Sequence, residues 1–157
     1  MNIEIDDARS GDLERLTEMY SCYDLHRNRV QAENYVKAYL NHWRIKVARV
    51  DDIIQGACFW RPEGEKVWGL AWIEDLWVEK NFREKSLGGR LLKSAIEDAK
   101  KWYESDGIKL RKIALTAQES NPAARGLYEK VGFVKTSALG DLYMDGIEDS
   151  LYVLDLR

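Results

Sequence analysis

The stretch LAWIEDLWVEKNFREKSLGGRLL, residues 70–92, decides the fold. Its first half reads as a buried strand carrying an adjacent carboxylate pair, Glu74 and Asp75. A tight basic loop follows, and Gly88 and Gly89 stand at the head of a helix. A strand that enters a helix through such a loop can hold an anion. Unpaired backbone N–H groups point outward there, and the helix dipole adds partial positive charge. The expected ligand is a phosphate group.

On the C-terminal side, residues 88–103 predict a helix. Leu91, Leu92, Ala95, Ile96, Ala99, Trp102 and Tyr103 make a wide apolar stripe at helical spacing. Residues 110–117 alternate as a strand. Ser120-Asn121-Pro122 then opens a short helix, 123–130, with a capping residue and a proline in its first turn, and Gly132 ends it. Residues 133–137 and 142–156 close the chain as two strands.

On the N-terminal side, residues 67–78 predict one long strand. Trp68, Leu70, Trp72, Glu74, Leu76 and Val78 share its parity. Residues 44–50 and 53–60 read as a hairpin across Asp51-Asp52, with a turn over 61–66. Ile3 and Ile5 mark a first strand. Two helices follow, over 11–24 with Ser10 as cap and over 31–42, and both carry tyrosines on their apolar faces. The whole is an α/β chain, a mixed, mostly antiparallel sheet of about seven strands with four flanking helices.

At 157 residues, residues 1–157 are expected to form a single domain. A net charge of −3 argues against a nucleic-acid partner. No apolar run reaches membrane-spanning length, and the acidic start, MNIEIDDARSGD, lacks the features of a secretion signal, so a cytoplasmic protein is expected. Cys22 and Cys58 fit no metal or redox spacing and read as buried, reduced thiols. His26 and His42 have no evident partner, and no metal site is expected. Trp60, Trp68 and Trp72 read as core residues.

Two segments carry a family resemblance: VEKNFREKSLGGRLL (78–92) and NPAARGLYEKVGF (121–133). With this element order, the chain resembles the GNAT superfamily of N-acetyltransferases. The resemblance implies acetyl-CoA as co-substrate and no metal. It places the pyrophosphate loop on Arg83, Glu84, Lys85, Ser86, Leu87, Gly88 and Gly89. Ser86 stands where the family carries its first glycine, and Glu84 where many members have another. It also implies that the backbone of Leu76, Trp77 and Val78 pairs with the pantetheine arm beside a bulge, that Asn121 contacts the cofactor as well as capping its helix, and that Tyr128 is the general acid. Lys85 and Arg90 could meet phosphates or solvent.

Acetylating an alkylamine requires a neutral amine, because one with a pKa near about 10.4 is protonated at neutral pH. Glu74 and Asp75 are the candidates to bind or deprotonate it, Glu74 first. The bland alternative makes one a solvated strand end and the other a backbone cap. The string Ile-Glu-Asp-Leu-Trp-Val is similar to the matching strand in diamine and glucosamine-phosphate acetyltransferases. A small primary amine, polyamine-like, is therefore the leading acceptor. A protein N-terminus or lysine is the alternative, and a non-catalytic CoA-binding module a third reading. The resemblance also admits a homodimer.

Overall fold

Alternation of apolar residues at period two and at about 3.6 sets the element order, and short acidic or glycine turns separate the elements. The computed structural model describes residues 1–23, 28–83 and 85–157. Strand β1 (Ile3–Asp7) leads into a 3-10 turn (Ser10–Asp12), α1 (Leu13–Tyr23) and α2 (Arg29–His42). There follow β2 (Arg44–Val50), β3 (Ile53–Pro62), β4 (Leu70–Val78) and α3 (Leu87–Glu104). The chain continues through β5 (Lys112–Gln118), α4 (Pro122–Val131), β6 (Val134–Gly140) and β7 (Glu148–Asp155). The seven strands lie in the order β1-β2-β3-β4-β5-β7-β6. Strands β4 and β5 run parallel, and the other described pairings are antiparallel. The mixed, mostly antiparallel sheet with four helices is as the sequence predicts. His26, Glu84 and Asp24, the expected end of the first helix, lie outside the described residues.

The chain packs as two compact units: Met1–Trp60 with Asp75–Ala95, and Arg61–Glu74 with Ile96–Arg157. In the first, Leu16 and Met19 of α1, Ala32, Val36 and Tyr39 of α2, and Ile45, Val47, Ala57, Phe59 and Trp77 of the strands form the core. The ring of Tyr20 stacks on Tyr35 at 4.4 Å and 6°, and Tyr39 meets Phe59 edge-on at 5.2 Å. Offset and edge-on contacts of this kind add about 0.5–1.5 kcal/mol each beyond the area they bury. In the second unit Ile113 and Leu115 of β5, Tyr152 of β7, Phe133, and Ala99 and Tyr103 of α3 are buried.

Local chemistry fixes the element ends. The N–H of Arg9 donates to the Asp12 carboxylate at 2.8 Å. The first helical segment is thus closed by Asp12 reaching back, with Ser10 inside the 3-10 turn and not at the expected cap. Asp12 also takes the Arg49 guanidinium at 2.8 Å. Burial pushes its carboxyl up, but the Arg49 hydrogen bond, the Arg9 N–H and the Arg49 charge outweigh burial and hold it below its ordinary value. Helix α2 begins two residues earlier than expected, because the Asn28 side chain caps the Gln31 N–H at 2.9 Å. The Asp51-Asp52 turn has φ of 49° and 69°, the doubly left-handed pair that suits a two-residue hairpin.

Three expectations fail. The long strand from residue 67 breaks at Gly69, whose φ is 60° and where an added Cβ would lie 2.4 Å from the Lys109 carbonyl oxygen. Trp68 therefore sits in a 3-10 turn (Lys66–Trp68) and is 51% exposed, while Trp60 is fully buried and Trp72 half-buried. Cys22 is exposed and only Cys58 is buried. The last strand begins at Glu148, not 142, because left-handed Asp141 and Gly146 turn the chain between β6 and β7.

Candidate active site

The parallel ladder described between β4 and β5 joins Leu70, Ala71 and Trp72 to Lys112, Ile113 and Ala114. The strands themselves are nine and seven residues long, so both continue past that register. The register irregularities among the described pairings fall at Ala48/Arg49 and Lys135/Ser137. Leu76 and Val78 are half-buried, whereas Trp77 is 9% exposed and belongs to the first core. The Val78 carbonyl oxygen accepts from Nε of Arg83 at 3.0 Å. Arg83 thereby ties the loop back to the end of β4.

Ser86 has φ of +61°. A glycine adopts this left-handed geometry without a Cβ penalty, and Ser86 takes it in glycine's place. Its carbonyl oxygen accepts from the Arg90 N–H at 3.1 Å and so starts α3. Leu87 is fully buried and anchors the helix, and Gly88 and Gly89 occupy its first turn. Backbone N–H groups at this end of an 18-residue helix lack partners within the helix itself. The loop residues therefore fit a pyrophosphate. Two basic side chains are turned to other uses. Nζ of Lys85 lies over the Phe82 ring at 4.9 Å, and Nη2 of Arg90 reaches the Ile3 carbonyl oxygen at 3.4 Å.

The two carboxylates of β4 differ in surroundings. Glu74 is exposed and pairs with Nε of Arg61 at 3.4 Å. Asp75 is half-buried, and its Oδ2 accepts from the hydroxyls of Tyr35 at 2.5 Å and Tyr20 at 3.2 Å. Burial, then the Asp75 charge, pushes the Tyr35 phenol far up, so it stays a proton donor. The same two causes push up the buried Cys58 thiol and make it unreactive. Tyr20 and Tyr35 read in the sequence only as members of an apolar stripe. Their hydroxyls act on a carboxylate 55 and 40 residues away, which helical spacing does not reveal.

In the second unit, the Asn121 side chain caps α4, accepting from the Ala124 N–H at 3.1 Å. Two turns on, Tyr128 is 8% exposed, with ring centroids 6.1 Å from Phe133 and 6.3 Å from Tyr152. Gly132, with φ of 112°, closes the helix by donating to the Tyr128 and Glu129 carbonyls. Among the described residues no group of three His, Cys, Asp or Glu could hold a metal ion. None of their helices is long and apolar enough to cross a membrane.

The sequence model of the acetyltransferase (GNAT) domain matches residues 41–135. A protein of Bacillus subtilis (strain 168), provisionally named a ribosomal protein bS18-alanine N-acetyltransferase, is 35% identical over 81 residues. That match covers 52% of this chain and 50% of the relative, so the chain spans about half the length of the curated relative it matches. An N-acetyltransferase from Staphylococcus aureus Mu50 superposes with a TM-score of 0.81 at 18% identity, over the whole of both chains. A provisionally assigned acetyltransferase from Salmonella typhimurium, solved with its cofactor acetyl-CoA, gives 0.79 at 17% identity. That superposition covers 100% of this chain and 95% of the other. These two likenesses establish the fold.

Proposed function

The chain belongs to the acetyltransferase (GNAT) family, and from that premise we propose that it moves the acetyl group of acetyl-CoA to a primary amine. The acceptor we favour is the α-amine at a protein's N-terminus, ahead of the polyamine-like small molecule that the β4 string alone suggests. The observation that carries the activity is the family match over residues 41–135, which takes in β4, the Ser86 loop and α4 together. The 35% identical relative, provisionally named a ribosomal protein bS18-alanine N-acetyltransferase, supports the acceptor. On this reading the two packing units serve as one acetyltransferase domain.

Acetyl-CoA supplies an activated acetyl thioester. The loop from Arg83 to Gly89 would hold its pyrophosphate through backbone N–H groups, helped by the α3 dipole. The β4 backbone of Leu76, Trp77 and Val78 would take the pantetheine arm. The Leu76 N–H would face the negative charge that develops on the acetyl oxygen. Asn121 would steady the cofactor from the head of α4.

Glu74, paired with Arg61, would draw the proton from the incoming amine. An α-amine, with a pKa near about 7.7–8.0, gives up that proton more readily than an alkylamine near about 10.4. Tyr128 would return a proton to the departing thiolate through its hydroxyl. Asp75, held by two phenols, would act as a positioning residue within β4.

An acetylation screen tests the proposal. Peptides with free N-termini, spermidine and glucosamine 6-phosphate are each incubated with acetyl-CoA, and CoA release and product mass are read. Acetylated peptide is the expected product. Transfer to spermidine alone overturns the acceptor, and transfer to none overturns the activity.

A further inference from the structure

We propose that α1 is a splint on the end of β4, with Arg15 and Tyr20 as positioning residues for the backbone of Leu76, Trp77 and Val78. The inference rests on the acetyltransferase reading for what that backbone does; the splint itself does not.

Two carboxylates bracket the segment 76–78, and one helix holds both. Oδ2 of Asp75, just before it, accepts from the Tyr20 hydroxyl at 3.2 Å. Oε1 of Glu79, just after it, accepts from Nη2 of Arg15 at 2.8 Å. Between them Trp77 lies in the same apolar core as Leu16 and Met19 of α1. Arg15 with Met19, and Leu16 with Met19 and Tyr20, stand at the three- and four-residue steps that make neighbours on a helix surface. Rising numbers on α1 therefore meet falling numbers on β4, and the helix runs against the strand along this whole segment. Tyr35 of α2 adds the second phenol on Asp75, at 2.5 Å.

The contact at Glu79 is built into the backbone as well. The β2–β3 register passes from Ala48 opposite Gly56 to Arg49 opposite Ile54, so Gln55 is the extra residue of a bulge in β3. The Gln55 carbonyl accepts from the Glu79 N–H at 2.8 Å. The Ile54 carbonyl accepts from Nε and Nη2 of Arg15, at 3.2 and 3.1 Å. A guanidinium presents its donors as a rigid planar fork, and here one fork bridges β3 to the residue that follows β4. Arg15 and Glu79 are both half-buried, whereas Glu18, which takes Nη1 at 3.0 Å, is exposed. The Glu79 carbonyl in turn accepts from the Phe82 N–H at 2.8 Å and so opens the loop. An oxyanion donor such as the Leu76 N–H acts only where it is fixed before the charge develops. A displacement of about 1 Å can cost on the order of a hundredfold in rate. Bracing both ends of a three-residue segment against one helix is a direct way to prevent it.

Amide hydrogen exchange on the full chain, without ligand, tests the splint. Arg15→Gln should speed exchange over residues 75–79 several-fold, and Arg15→Gln with Tyr20→Phe tenfold or more. Exchange in β7 should stay within twofold in both. Glu18→Gln removes only the exposed partner of Arg15 and should leave residues 75–79 as in the parent. Parent-like exchange at 75–79 in the double variant overturns the splint. So does a rise of equal size throughout the chain, which a merely structural role would produce, or a rise as large in Glu18→Gln. Turnover with an alanine peptide or spermidine then tests the positioning. The double variant should lower kcat about tenfold and leave KM for the amine within threefold. Faster exchange with an unchanged kcat overturns the positioning and keeps the activity. A parent that acetylates no amine overturns the activity, and the positioning with it, while the exchange still decides the splint.

Discussion

Ser86→Gly is the sharpest test of the loop, because the two residues differ chiefly in what a left-handed φ costs them. The other described non-glycine residues with positive φ are Asp51, Asp52 and Asp141, of a type that visits this region readily. Serine with φ of +61° carries a Cβ-to-carbonyl crowding of about 1–2 kcal/mol. Glycine removes that crowding and in exchange costs about 0.5–1 kcal/mol of extra unfolded-chain entropy. The net is a stabilisation of about 0.5–1 kcal/mol, or a rise in Tm of roughly 1–4 °C for a chain of this size.

Ser86→Val should do the opposite, losing about 1 kcal/mol or more, because a β-branched side chain tolerates the region least. Urea melts and thermal melts of the three proteins should rank them Gly, Ser, Val. If the loop cradles pyrophosphate with its backbone, acetyl-CoA at about a hundred times its Kd should add about 2.7 kcal/mol in the parent. It should add the same in Ser86→Gly. A destabilised glycine variant, or a glycine variant that loses the ligand-induced rise, would refute the claim that backbone shape is what this position supplies.

Tyr128→Phe should lower kcat on the order of a hundredfold while leaving the affinity for acetyl-CoA unchanged, measured by CoA release and by titration; an unchanged kcat removes the acid role. Glu74→Gln should flatten the rise of rate with pH. It should cost under about 1 kcal/mol of stability, since the Arg61 pair is partly solvated; a parent-like profile would assign the base elsewhere. Asp12 is held below its ordinary pKa by Arg49 and Arg9 against the pull of burial, so its contribution is complete above about pH 4. That contribution is lost as pH falls through the folded value. Asp12→Asn should therefore lower stability at pH 7 and shrink the loss seen on going from pH 4 to lower pH; equal acid melts would show that the pair is not linked to folding.

The sequence made legible whatever is settled within a few neighbouring residues. The Asp51-Asp52 turn, the stripe of α3 and the Asn121 cap all follow from local backbone preference and helical spacing. Periodicity hides the break at Gly69, because the parity of Trp68 with Leu70 and Trp72 continues across it. The left-handed φ of 60° at Gly69 breaks the strand, and the Lys109 carbonyl, 2.4 Å from where a Cβ would stand, keeps the position a glycine. The general tendency of free cysteines to be buried does not extend to Cys22, whose exposure depends on which face of α1 the core covers.

The candidate site divides along the same line. Cofactor binding of the kind proposed relies on backbone groups at the end of β4, in the loop and at the head of α3, and such sites leave a trace in glycines, caps and spacing. Ser86 shows how far that trace can mislead: the glycine is missing, yet its conformation is kept. Acceptor recognition of the kind proposed would rely on side chains that meet only after folding. Asp75 gathers hydroxyls from two helices. It has no motif for this, since any register placing a carboxylate there would serve. The family is therefore written in short segments, while contacts between distant side chains show themselves only in the folded chain.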